Sequence, residues 1–219
     1  AEDNEDNRAL VMAFLQGEGH TLETAFNGAE ALRMATAHHY NLILMDTQMP
    51  VMDGLEAVRQ LRLYEQSQQR SRTPIVALTA QASSRHREET LAAGCDAHLT
   101  KPIHRKQLLD AIAAHASGII GQRLHSPVSP IANLVPKFLE NRRKELPLIE
   151  AALSAGDFMT LAHHGHNLKG LGFGYGFGEL STLGRLLEDA AKALDIKECS
   201  QTVAALTTLI PTLKPPEFS

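Results

Sequence analysis

Asn-Leu-Ile-Leu-Met-Asp-Thr-Gln-Met-Pro-Val-Met-Asp-Gly, residues 41 to 54, decides the fold. Four apolar residues, Leu42 to Met45, run straight into Asp46. A continuous apolar run of this length fits a strand buried on both faces, although a buried helix segment reads the same over so few residues. Pro50 and Gly54 favour strand followed by loop. Asp46 then stands at the carboxyl end of a central strand, where open α/β sheets place ligands. There it can be a metal ligand, a nucleophile or a loop cap.

Working outward, strand and helix signals alternate. Ala9, Leu10, Met12, Ala13 and Leu15 recur at helical spacing, and Thr21–Phe26 alternates like a short strand. Asn27 caps a helix over Gly28–His38. Asp53 or Gly54 opens another, carrying Leu55, Val58 and Leu61, and Gln66–Thr73 is loop-like. Pro74–Thr79 is a second buried strand, Ser84–Ala93 is helical up to Gly94, Ala97–Thr100 is a short strand, and Arg105–Ala116 is an amphipathic helix. This alternation predicts a doubly wound parallel sheet. Its strand ends carry Glu2, Asp3, Asp46, Thr79 and Lys101, and all point to one edge. Clustered carboxylates repel unless a cation joins them, and a hard divalent ion suits oxygen ligands. A nucleophile, a metal and donors are what a phosphoryl group on a carboxylate requires.

Taken together, Glu2-Asp3, the Asp46–Gly54 block, Pro74–Ala80 and Lys101-Pro102 resemble the receiver domain of two-component response regulators, a flavodoxin-like fold. The resemblance covers nearly all of Ala1–Ala116. It implies that Asp46 accepts a phosphoryl group from a histidine. It implies that Asp3, Asp46 and the backbone carbonyl of Gln48 hold Mg²⁺ (or Mn²⁺), with Glu2 helping through water. Thr79 and Lys101 bind the phosphoryl oxygens, and Lys101–Pro102 is cis, aiming the lysine inward. Two features depart from the family. Only Ala1 precedes the acid pair, where the family has a whole central strand, so the chain is expected to be a piece of something longer. His98 stands where the family has Tyr or Phe, and Gln48 and Gln81 flank the phosphorylation site. Arg85, His86 and Arg87 read as a solvated helix face.

Residues 117 to 136 change composition, with Gly118, Gly121, Pro127, Pro130 and Pro136 giving a semi-stiff linker. Beyond it strand signals vanish. Phe138–Leu153 reads as a helix that Pro147 kinks or splits at Leu146. Three further apolar stripes follow: Phe158, Leu161, Ala162, Gly165, Leu168 and Gly172; Leu180, Leu183, Leu187, Ala190 and Ala191; Val203, Leu206 and Ile210. Four amphipathic helices with short joins predict an antiparallel four-helix bundle. His166 falls roughly 110° from the apolar centre of the second helix, so exposure is expected, with Lys169 beside it. Gly165, Gly170, Gly172, Gly174 and Gly176 weaken the helix and are read as opening access to the imidazole, with helix extending partway through the run. His163 and His164 read as surface residues, and a zinc site there lacks ligands.

The block His166-Asn-Leu-Lys169-Gly170, followed by Tyr175-Gly-Phe-Gly and Leu187-Glu188-Asp-Ala, resembles a histidine phosphotransfer (HPt) domain over about Pro127–Leu213. It implies that His166 carries the phosphoryl group and Lys169 steadies it. The expected layout is a receiver over 1–117, a linker over 118–130 and a phosphotransfer bundle over 131–219. The expected function is a phosphorelay between Asp46 and His166, with a sensor histidine kinase and a downstream response regulator as partners. No nucleotide-binding glycine loop is present, so the chain passes phosphate onward rather than drawing it from ATP. Two alternatives stand beside this: a phosphate-independent docking module, and an aspartyl-phosphate hydrolase, which wants an acid where Gln48 stands. A net charge of -4 and 5% aromatic residues speak against nucleic acid. Cys95 and Cys199 read as reduced thiols, and the absence of a run of about 18 apolar residues predicts a soluble cytoplasmic protein without membrane contact.

Overall fold

The computed structural model describes residues 1–80, 83–116 and 131–216. Gln81 and most of the expected linker lie outside the described residues. The chain divides into two compact units, Ala1–Ser126 and Pro127–Ser219.

The first unit runs α1 (Glu5–Leu15), α2 (Gly28–Ala37), β1 (Ile43–Asp46), α3 (Gly54–Ser67), β2 (Ile75–Thr79), α4 (Ser84–Ala93), β3 (Ala97–Thr100) and α5 (Arg105–His115). The strands form a parallel sheet in the order β1-β2-β3, with Asp46 opposite Leu78 and Thr79 opposite Thr100. Local chemistry sets the helix starts: side chains of Asn4, Asn27, Asp53 and Ser83 accept first-turn N–H groups. Gly94, at φ +106°, closes α4 in the left-handed region that glycine tolerates. Every residue of β2 is buried. Ile75 and Ala77 join Ala31, Ala57, Val58 and Leu61 in one core cluster under α2 and α3. Val76 and Leu78 alternate to the opposite face of the sheet. Arg62 on α3 donates to Glu65, Asp96 and the carbonyls of Thr73 and Gly94, tying that helix to the start of β2.

One expectation for the first unit needs correction. Thr21–Phe26 is not a strand; its one backbone link to the acid pair is Glu2 N–H to the Ala25 carbonyl at 3.1 Å. A strand requires a ladder of paired hydrogen bonds, and this single bond does not make one. Ala1 and Glu2 continue the sheet past β1: the Ala1 amine donates to the Leu44 carbonyl, and Asp46 N–H donates to the Ala1 carbonyl. The acidic start is therefore held in place, and Glu2 and Asn7 are buried. The Lys101–Pro102 bond is cis.

The second unit runs α6 (Val135–Ala155), α7 (Phe158–Leu171), α8 (Gly178–Lys192) and α9 (Ile196–Leu209), ending in a 3₁₀ turn over Ile210–Thr212. The helices pack in the cyclic order α6, α7, α8, α9, a four-helix bundle. Phe138 stacks on Tyr175 (centroids 4.2 Å) and Phe177 (5.6 Å) in its core. Pro147 does not split α6, which is continuous over 21 residues. Pro147 and Arg143 are both exposed. The carbonyl freed by the missing N–H therefore lies on the solvent side, while Leu146, Ile149 and Ala152 pack inward.

The glycines of α7 and α8 have a different role from the one expected. A Cβ on Gly165 would lie 2.5 Å from the Glu188 nitrogen, and one on Gly184 would lie 2.3 Å from the Lys169 nitrogen. Gly172 presses on α8 in the same way, 2.5 Å from the Ser181 nitrogen. These positions let two helix backbones touch; they do not open a path to the imidazole. Helix α7 ends at Leu171, and the remaining glycines form a turn.

Candidate functional site

In the first unit the parallel register brings the predicted residues to one edge. Asp46 ends β1 and is fully buried, Thr79 ends β2 at 2% exposure, and Lys101 follows β3 at 5%. Lys101 N–H donates to the Thr79 carbonyl (2.7 Å), joining the two strand ends. The Lys101 ammonium donates to Asp46 Oδ2 at 2.6 Å and Glu2 Oε2 at 2.7 Å. Asp46 Oδ1 accepts the backbone N–H of exposed Gln48 (3.1 Å). Glu2 Oε1 accepts the Asn7 side-chain amide (2.9 Å) and Asn4 N–H (3.3 Å). Asp3 is half-buried and completes a group of three acids, each offering an oxygen within 4.8 Å of the others.

The electrostatics are those of a cation site. Burial pushes the Glu2 carboxyl up in spite of Lys101. Burial also acts to lower the Lys101 pKa, but Glu2 and Asp46 outweigh it and the pKa rises, so the ammonium stays charged. Three carboxylates against one ammonium leave a negative excess, and every donor is oxygen. That set fits Mg²⁺, a hard ion that takes carboxylates and retains water.

In the second unit His166 departs from expectation. Its residue exposure is 7%, and Nε2 is buried without a hydrogen-bond partner. The glycine-mediated approach of α8 extends the buried face of α7 round to His166 and Asn167. His166 Nδ1 lies 3.4 Å from Glu188 Oε1. Glu188, at 1% exposure, also accepts Lys169 Nζ (3.1 Å) and Lys192 Nζ (2.5 Å). Burial raises its pKa, but the hydrogen bonds from His166 and Lys192 outweigh this and hold the carboxyl well below the usual range. An ionised carboxylate only accepts, so a neutral His166 carries its proton on Nδ1 and keeps the Nε2 lone pair. Sequence reading quoted Glu188 without assigning it a role; it lies 22 residues from His166, and only the packing joins them. Replacing Glu188 by alanine is expected to cost the bundle about 2 kcal/mol, because Lys169 and Lys192 can still reach water. Nitrogen NMR of His166 is expected to show one tautomer in the wild type and a mixture in the variant.

His163 is exposed, as expected, but His164 is half-buried. Burial, with His163 and Arg142 adding to it, lowers its pKa from 6.5 to about 4. The folded pKa is depressed, so this histidine's contribution is intact above pH 6.5 and is lost as pH falls toward 4. Partial exposure limits the loss to about 1–2 kcal/mol. Comparing hydrogen exchange of α7 at pH 7 and pH 4.5 should show less acid weakening in His164→Leu than in the wild type.

No helix among the described residues is long and apolar enough to cross a membrane. Comparison with known proteins identifies both units. The family model for the response regulator receiver domain matches residues 1–113, and that for the Hpt domain matches residues 133–214. Sensor protein EvgS of Escherichia coli is 32% identical over 187 residues, covering 78% of this chain and 15% of its own length. A chain from the Saccharomyces cerevisiae co-crystal of the histidine phosphotransfer signaling protein Ypd1 and the receiver domain of Ssk1 is 33% identical. Its TM-score is 0.52, over 54% of this chain and 88% of that one. The receiver domain of sensor histidine kinase PA1611 from Pseudomonas aeruginosa, crystallised with magnesium in its active-site cleft, is 36% identical over 54% of this chain and 94% of that one, with a TM-score of 0.49. This chain spans only 3% to 15% of the curated relatives it first matches. The chain belongs to the response regulator receiver family, carries an Hpt domain after its receiver, and so joins the two kinds of domain that make up a two-component phosphorelay.

Proposed function

We propose that Asp46 accepts a phosphoryl group from a phosphohistidine and that His166 carries one to or from an aspartate. The observation supporting this most strongly is the Lys101 ammonium at 2.6 Å from a buried Asp46 carboxylate, inside a cluster of three acids. A carboxylate oxygen of Asp46 attacks phosphorus; the new P–O bond forms as the donor's P–N bond breaks, and the imidazole leaves with the electron pair. Lys101 and Thr79 face the peripheral phosphoryl oxygens. Asp3, Asp46 and the Gln48 carbonyl, with Glu2 assisting, would hold Mg²⁺, whose charge would ease the approach of two anions.

For the second step Nε2 of His166 attacks the phosphorus of an aspartyl phosphate, and the carboxylate leaves. Glu188 keeps the proton on Nδ1, and Lys169, which donates to the same carboxylate (3.1 Å), meets the phosphoryl charge. Nε2 is covered at rest, so its cover must open before the attack. A sensor histidine kinase as donor and a response regulator as acceptor fit the kinds of protein the relatives are named for. Cytoplasmic placement goes with these partners. Tethering raises the local concentration of each phosphosite for the other. The covered Nε2 also favours a second reading, in which the bundle docks partners without taking phosphate. Acetyl phosphate with Mg²⁺ separates them: a relay labels Asp46 and then His166, and a docking bundle leaves His166 unlabelled.

A further inference from the structure

We propose that Asn7 is a positioning residue for the acid cluster, fixing the Glu2 carboxylate and thereby setting the cluster's affinity for a divalent cation. This rests on the receiver reading above. Asn7 is the third residue of α1 and is 5% exposed. Its backbone N–H is already bonded to the Asn4 side chain at 3.1 Å, so the position of its Cα is set by the helix cap. Its side-chain amide then donates to Glu2 Oε1 at 2.9 Å. A buried amide costs free energy unless it is bonded, and the Glu2 carboxylate supplies that bond.

The two oxygens of Glu2 have divided roles. Oε1 is held by Asn7 and by Asn4 N–H, and Oε2 faces the Lys101 ammonium. The Asn7 donor is neutral. It orients Glu2 without cancelling the negative charge that attracts a cation, whereas a lysine or arginine here would compete with that cation. With Oε1 anchored, Oε2 is the oxygen directed at the cluster. Partners that orient metal-binding carboxylates change metal affinity about 10–100-fold when removed.

The test is calorimetric titration of the full chain with MgCl₂. Asn7→Leu keeps the side-chain size and removes the donor; its Mg²⁺ dissociation constant is expected to rise about 10-fold. In a Glu2→Gln background, adding Asn7→Leu is expected to cause no further rise, because Asn7 acts through Glu2. Asn7→Ala repeats the comparison should the leucine variant lose α1. An unchanged dissociation constant in a folded Asn7 variant overturns the proposal. An equal further rise in the Glu2→Gln background also overturns it. A wild-type chain that binds no Mg²⁺ overturns the receiver reading and this inference together, and that result is distinct from one seen only in the variants.

Discussion

Gly54→Ala is expected to unfold the first unit or weaken it by more than about 3 kcal/mol, at the upper end of overpacking costs. A Cβ at this position would lie 1.8 Å from the Asp46 carbonyl oxygen, against an ordinary contact of at least 3.4 Å. The obstacle is the backbone of β1, which cannot rotate away as a flexible side chain could. Relief means moving the start of α3 by about 1.6 Å, the difference between those two distances. That shift breaks the Gly54 N–H bond to the Thr47 carbonyl (3.2 Å) and lifts Ala57, Val58 and Leu61 from the core. Gly17→Ala is the control. Gly17 has φ +82° and nothing within 4 Å of a Cβ, so its cost is conformational only, about 1 kcal/mol. Calorimetry on both variants checks the contrast, and a Gly54→Ala transition within about 1 kcal/mol of the wild type would contradict the packing beside Asp46.

Lys101→Ala is expected to make the first unit dependent on divalent cations. Removing the ammonium leaves Glu2, Asp3 and Asp46 clustered within 4.8 Å, two of them buried, without their counter-charge. Breaking a buried ion pair from one side costs about 3–5 kcal/mol. At roughly 4 °C per kcal/mol for a unit of this size, the transition falls by about 12 °C or more in EDTA. Millimolar Mg²⁺ replaces part of the missing charge and should restore much of the loss. The wild type, with Lys101 in place, should respond far less. Phosphorylation of Asp46 should fail in the variant even with Mg²⁺, because the donor to the phosphoryl oxygens is gone. Equal melting in EDTA and Mg²⁺ would show that the ammonium is not what balances the acids.

Much of this arrangement is legible in the chain. An apolar run ending in Asp46, a second ending in Thr79 and a third leading to Lys101 can only converge when parallel strands share an edge. What escaped the sequence depends on neighbours distant along the chain. Thr21–Phe26 alternates correctly, yet alternation makes a strand only where a partner is available. Asn7 carries no signal of its own in the sequence, because its role depends on where Glu2 points. The burial of His166 escaped for a more general reason. Gly165 and Gly172 fall on the apolar face in the sequence, but spacing alone does not show how closely a second helix approaches them. Gly165, Gly172 and Gly184 widen the buried face by admitting a second backbone, and that brings Glu188 to the imidazole.

The most direct measurement follows phosphoryl label in the full chain after incubation with acetyl phosphate and Mg²⁺. Acid-labile, base-labile label on Asp46 is expected in the wild type and in His166→Gln, and none in Asp46→Asn. Base-stable phosphohistidine is expected in the wild type alone. A wild-type chain that takes no label, or an Asp46→Asn chain labelled as strongly as the wild type, would contradict the assignment of Asp46 as the acceptor.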